Sequence, residues 1–262
     1  MWPCIFSLAV DFTEASLLRQ RNLVESVCIP ELMGSLQIEM LASTHRMGLL
    51  AYKINADTYT LLYEISRNNP VLVLQNIGLS WIPVWHYAVV IGYDLERNII
   101  VLHSGMRKNY EMKLSTFEKT WRRADNWGFL AVKPCEVTDT MVASDYFASA
   151  VAFERDNTES KINRIYESAV TKWPEDKLIN LAFANYLYSN GLLDDAVKIY
   201  NSILDYQPYW PTVHNNLAQT YSDLGELNLA KLHAEIAIKH GGVFVYGYRK
   251  KLQDINHKLG AD

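Results

Sequence analysis

His86 is the residue whose type and setting could do chemistry. It sits at the head of an apolar run, Trp85-His86-Tyr87-Ala88-Val89-Val90-Ile91-Gly92-Tyr93-Asp94. Aromatic and β-branched residues in such a run favour a buried strand. Imidazole can take and return a proton near neutral pH, which no other side chain in the run can do. Catalysis built on it needs a nucleophile within hydrogen-bond reach and a third group that holds the ring in one tautomer. A histidine in an apolar strand is more often a packed core residue than a catalyst, so its partners decide.

The sequence contains three cysteines, Cys4, Cys28 and Cys135. Without a C-x-x-C pair they support neither a disulfide framework nor a thiolate zinc site. Cys28 precedes Ile29-Pro30 in a loop-like stretch, and Cys135 follows Pro134 beyond the last strand-like run. Cys4 precedes Ile5-Phe6-Ser7-Leu8-Ala9-Val10, a short apolar run compatible with a helix. A thiol at a helix N-terminus has its pKa lowered by the helix dipole, which makes Cys4 the candidate nucleophile. For the orienting group, the neighbouring strand ends at Leu102-His103-Ser104-Gly105. His103 or Ser104 would meet His86 in simple register, whereas Asp94 belongs to a turn. His86 and His103 could share a metal only with a third ligand, and the spacing offers none. No cofactor or metal is expected.

The elements that must position these groups can be read from periodicity. Ser35 to Met47 predicts a helix closed by Gly48, and Asp57 caps a second that Pro70 ends. Strand-like runs follow at Val71–Leu74, Tyr87–Tyr93, Ile99–Leu102 and Tyr110–Leu114, then at Trp127–Val132. Asp94 to Asn98 predicts a turn joining the second and third strands into a hairpin. Alternation places His86, Ala88, Val90 and Gly92 on one face. Ser115-Thr116-Phe117-Glu118 reads as a capping box opening a short helix. Helices followed by an antiparallel sheet predict an α+β domain over residues 1–137.

From Thr138 the strand signal ends and a repeat begins. Pro174/Pro208, Ala184/Ala218, Gly191/Gly225, Leu193/Leu227 and Ala196/Ala230 are each 34 residues apart. That period, with small residues where helices approach and glycine at the turn, is the signature of the tetratricopeptide repeat. A weaker copy carries Ala150, Phe153, Tyr166, Ala169 and Pro174. About three repeats over 146–262 follow a linker at 138–145. The stretch Val243–Leu259, with Arg249, Lys250, Lys251 and Lys258, reads as a terminal capping helix. Tyr186, Tyr188, His214, Asn215 and Asn216 fall at first-helix positions that could line a groove for a protein partner.

The 262 residues carry a formal net charge of −4, which gives no electrostatic case for nucleic acid or for an anionic membrane. No stretch approaches the roughly 20 apolar residues of a membrane span. Residues 1–10 lack the basic region of an export signal, so the expected compartment is the cytoplasm. A signal missing upstream would make it periplasmic or lipid-anchored.

The order of helices, Pro-Val-Leu-Val-Leu-Gln, His-Tyr-Ala-Val-Val-Ile-Gly-Tyr-Asp and the closing Leu-Ser-Thr-Phe-Glu-Lys-Thr-Trp helix resembles the bacteriocin-processing type of papain-like cysteine peptidase. Gly34-Ser35-Leu36-Gln37 and Asn76-Ile77-Gly78-Leu79-Ser80-Trp81 are similar to a bacterial branch in which this domain is fused to tetratricopeptide repeats. The resemblance spans about Thr13 to Pro134. It implies that His86 is the catalytic histidine and that peptides are the substrates. The sequence departs from the family pattern in two places. His103-Ser104 stands where most members have an Asp before Pro, and Cys4 follows Trp2-Pro3 without the family's Gln or Cys-Gly-Pro. Two readings result: a cysteine peptidase whose repeats recruit a partner, with Cys4 or a cysteine upstream of the given sequence as nucleophile, or a catalytically impaired relative that serves as a binding scaffold.

Overall fold

The structure is a computed structural model and describes residues 36–105 and 107–260. Cys4 and Cys28 lie outside the described residues. Helix α1 (Gln37–Arg46) ends at Gly48, whose φ of +80° lies in the left-handed region that glycine enters without steric cost. Strand β1 (Leu50–Lys53) leads to α2 (Thr58–Ser66), where the Asp57 carboxylate accepts the Thr60 N–H at 2.7 Å and caps the helix as its sequence predicts. Strands β2 (Val71–Asn76), β3 (Trp85–Asp94), β4 (Ile99–Ser104) and β5 (Arg107–Lys113) follow, then α3 (Leu114–Arg122) and β6 (Gly128–Val132). All pairs are antiparallel, and the six strands run in the order β1-β6-β2-β3-β4-β5. The first domain is thus α+β, as its pattern implies.

Side-chain alternation sorts the sheet into two faces. Leu72 and Leu74 pack with Met40 of α1, Ala51, Trp127 and Phe129 on one of them. On the other, Val71 and Val73 are fully buried, and the buried Gln75 donates its amide to the Thr120 hydroxyl of α3 at 2.7 Å.

Two local readings of the sequence are corrected. The capping box does not form, because α3 begins at Leu114 with Lys113 at the N-cap and no side-chain cap bond. That start places Ser115 inside the first turn. Glu118 accepts instead from the Thr58 hydroxyl at 3.1 Å, tying α3 to the start of α2. The second correction lies in β3. Val90 pairs with Leu102 and Gly92 with Val101, so Ile91 is the extra residue of a β-bulge. The bulge reverses alternation beyond it and sets Gly92 on the face of Val101, away from the face of His86 and Val90.

Two compact units divide between Ser168 and Ala169. Helix α4 (Ala143–Glu154) and most of α5 (Glu159–Lys172) belong to the first. There the Tyr146 hydroxyl donates to the Ile165 carbonyl, and Ala150, Phe153 and Tyr166 are buried. The residues preceding α4 are fastened to α2, with Thr140 bonded to Glu64 and Tyr63 to Asp139.

The second unit contains α6 (Lys177–Ser189), α7 (Leu193–Tyr206), α8 (Pro211–Asp223), α9 (Leu227–His240) and α10 (Val245–Leu259). Helix starts at Ala143, Lys177, Pro211 and Val245 are each 34 residues apart, as are those at Glu159, Leu193 and Leu227. Gly191 and Gly225 make the two equivalent turns at φ +78° and +83°. A Cβ at either position would meet nothing within 4 Å, so the dihedral, not crowding, calls for glycine. Ala184, Ala196, Ala218 and Ala230 are completely buried, where small side chains let helices approach closely. This is a tetratricopeptide-repeat solenoid. Among the described residues no helix is long and apolar enough to cross a membrane.

Candidate active site

His86 lies at the second position of β3, paired across the sheet with Gln75 of β2. On the other side, Val89 pairs with His103, which sets Ser104 level with Ala88. Ala88 shares His86's face, so Ser104 is the diagonal cross-strand neighbour of His86, a separation that longer side chains bridge. The contact is made: His86 Nε2 and Ser104 Oγ are 2.8 Å apart. His103, one residue earlier, projects to the opposite face. It is buried there, and its Nδ1 accepts the Asn109 N–H at 3.2 Å. Alternation therefore selects Ser104 over His103 as the group on the imidazole and separates the two histidines as metal ligands. Among the described residues no cluster of three or more His, Cys, Asp or Glu could hold a metal.

His86 is half-buried, and desolvation holds its pKa below the ordinary value. A hydroxyl partner carries no charge to offset that effect, whereas a carboxylate would favour the imidazolium. Burial thereby favours the neutral ring, which is a weaker base than an unperturbed imidazole.

Cys135 is exposed beyond β6. Gly128 pairs with Val73, near the end of β2 that holds Gln75, whereas β6 runs the other way to Val132. At about 3.3 Å per residue this puts Cys135 roughly 20 Å from the level of His86, so it cannot serve that imidazole. Cys135 lines a separate cavity of about 430 Å³ with Tyr63, Arg67 and Asp139.

Sequence reasoning missed the hairpin that carries the chain into His86. Beyond β2 and β3, Ile77 N–H bonds to Val84 O at 2.9 Å, and Leu79 and Ile82 exchange both backbone bonds at 3.1 Å. The buried Asn76 accepts the N–H groups of Gly78 and Val84 at 3.0 Å, and Arg123 at the end of α3 donates to Gly78 O at 2.6 Å. A Cβ on Gly78 would stand 2.4 Å from Ile82 O, so only glycine fits. This framework holds Ile77, Leu79, Trp81, Ile82, Val84 and Trp85 exposed, Trp81 at 76 %. The signal was present as an apolar stretch without a single charge.

Among the proposed groove residues of the repeats, His214 is buried. Its Nε2 faces Pro208 O at 2.9 Å and its Nδ1 faces His233 Nδ1 at 2.8 Å, so it packs inside the array. Tyr188 donates to Asp223 at 2.8 Å and Asn216 to Asn185 at 2.9 Å.

Residues 38–128 match the Peptidase_C39 like family, a span that includes His86, His103 and Ser104. A peptidase-like domain joined to tetratricopeptide repeats is therefore the class of protein that sequence and fold define. No curated protein matches the chain. Among solved structures, MamA of AMB-1 is similar at 13 % identity and a TM-score of 0.41, over 48 % of this chain and 68 % of that one. The tetratricopeptide-repeat domain of Sgt2 from Aspergillus fumigatus is similar at 16 % and 0.40, over 45 % and 79 %. The Yersinia enterocolitica type III secretion chaperone SycD, in complex with a peptide of the translocator YopD, is similar at 16 % and 0.42, over 47 % and 97 %. Such distant likeness carries no functional inference, and the repeat character of this chain stands on its own 34-residue register.

Proposed function

We propose that the chain hydrolyses peptide bonds as a cysteine peptidase, with repeats that recruit a protein or peptide partner. The observation that carries this reading is the His86–Ser104 pair, an imidazole held through Nε2 at 2.8 Å at the mouth of β3. In this reading Ser104 positions the ring, and proton exchange with the nucleophile falls to Nδ1. A thiol gives its proton to His86, attacks the peptide carbonyl, and His86 returns the proton to the leaving amine. Cys4 is the proposed nucleophile. His103 contributes by holding the β4–β5 corner that carries Ser104, through its bond from Asn109. The uncharged hairpin Ile77–Trp85 offers apolar side chains beside the scissile bond, which favours substrates with apolar neighbours to that bond. The proposed division is a peptidase-like domain over 1–137, a linker at 138–145 and repeats over 146–262.

One observation favours the alternative of an impaired enzyme serving as a scaffold. By the resemblance, Ser104 stands near the corner where most family members have a carboxylate, and a neutral hydroxyl stabilises an imidazolium less than a charged group does. Labelling with iodoacetamide, read by peptide mass spectrometry, separates the two. An active enzyme gives a cysteine that reacts faster than Cys135 and slows in His86→Ala. Equal rates for all three cysteines, unchanged in His86→Ala, would sink the peptidase reading.

A further inference from the structure

The net charge of −4 conceals a corner of opposite character. Between the end of α9 and the first turns of α10 the chain reads Lys239-His240-Gly241-Gly242-Val243-Phe244-Val245-Tyr246-Gly247-Tyr248-Arg249-Lys250. No acidic residue occurs between Glu235 and Asp254. Lys239, Arg249 and Lys250 are all exposed. Among them stand large apolar and aromatic side chains almost wholly in solvent: Val243 at 90 %, Tyr246 at 82 % and Phe244 at 67 %.

The corner is well anchored. Tyr248, in the middle of the segment, is buried, and a Cβ on Gly241 would lie 2.8 Å from its ring and 2.5 Å from Ala237 O. Gly241 is what lets the backbone close onto that ring. The exposed Tyr209, at the turn before α8, stacks on His240 with centroids 4.8 Å apart and extends the aromatic surface. These side chains do not line the cleft of about 270 Å³ in this unit, which is formed by Pro174, Asp176, Asn180, Ile203, Tyr206 and Gln207 among others.

We propose that this corner docks the protein on an anionic lipid surface. Protruding apolar and aromatic tips enter the boundary between headgroups and acyl chains, while flanking Lys and Arg heads meet lipid phosphates and carboxylates. The positive charge complements an anionic bilayer and sits beside the tips that would insert. A peptide partner would want walls around its side chains, and here the apolar groups project outward.

The intact protein, mixed with vesicles of phosphatidylcholine alone or containing phosphatidylserine, is separated by flotation. It floats with the phosphatidylserine vesicles and stays behind with the neutral ones, and added sodium chloride releases it. Phe244→Ser with Tyr246→Ser, and separately Arg249→Glu with Lys250→Glu, each weaken binding about tenfold or more. Thermal melts of both variants match the parent, since all four side chains are exposed. The proposal is overturned by absence of binding, by equal binding to neutral vesicles, or by binding that survives either double substitution. Capture of a poly-glutamate peptide without vesicle binding, abolished by the same charge reversals, overturns it in favour of an acidic protein partner.

Discussion

The Nδ1 atoms of His214 and His233 lie 2.8 Å apart across α8 and α9, so one must carry a proton and the other a lone pair. The direction is fixed at the far side of His214, where Nε2 faces Pro208 O and must be the donor. In the neutral pair His233 therefore donates to His214, which donates to Pro208. Tyr221 stacks on His233 at 5.4 Å. Burial first, and the neighbouring His214 second, push His233 down to about 4. A group whose folded pKa lies below its unfolded value contributes stability that is complete above the unfolded pKa of about 6.5 and is lost as pH falls from there toward 4. We expect Tm to fall between pH 7 and pH 4.5 by a few degrees, limited by the ring's partial exposure. His233→Gln should flatten that part of the profile, and an unchanged slope would refute the assignment.

Ser104 should govern how His86 titrates. Replacing it by Asp places a negative charge on Nε2 and should raise the His86 pKa above that of the parent, as measured by NMR titration. If the peptidase reading holds, Ser104→Asp should also raise peptide hydrolysis. Ser104→Ala should lower it by about tenfold or more through loss of ring orientation. A His86 midpoint identical in all three proteins would mean that the 2.8 Å contact does not form in solution.

Cys135 serves as an internal standard for thiol reactivity. It is exposed and roughly 20 Å along the sheet from the level of His86. Its alkylation rate should be the same in the parent and in His86→Ala, and a dependence on His86 would contradict the strand register.

The repeat turns can be tested one at a time. Gly191→Ala and Gly225→Ala force an L-residue into φ near +80° with open space around the new methyl group. Each should cost about 1 kcal/mol in urea unfolding, by strain alone. A cost near zero would show that the turn relaxes.

The sheet's polar bond should be worth more. Gln75→Leu removes the donor to Thr120 in a buried site, and we expect a loss of about 1–3 kcal/mol. Thr120 also donates to Phe117 O at 2.8 Å, so Thr120→Val should cost at least as much. Equality with an exposed control such as Lys119→Ala would argue against this bond.

Much of the architecture was legible because it obeys strict periods. The 34-residue pairs Gly191/Gly225 and Ala196/Ala230 locate the repeat helices, and Asp57 marks the start of α2. Spacing failed where one residue changes the count. The bulge at Ile91 moved Gly92 to the other face, and α3 began early enough to undo the Ser115 cap. Ser104 and His103 could not be separated in sequence, since the choice depends on which residue stands level with Ala88. That follows from the Val89–His103 pairing, a fact about two strands together. The exposed hairpin at Ile77–Trp85 was hidden for another reason, since apolar residues ordinarily read as core.

Arg123, at the end of α3, donates to the Gly78 and Asn76 carbonyls on the far side of the β2–β3 hairpin. A helix of nine residues thus acts as a moorage for the rim next to His86. Opening of the last turn of α3 would slacken that rim without disturbing the strand that bears the imidazole. In the proposed peptidase, peptide selection and proton transfer would then part under mild heating, with substrate discrimination lost at temperatures where turnover persists.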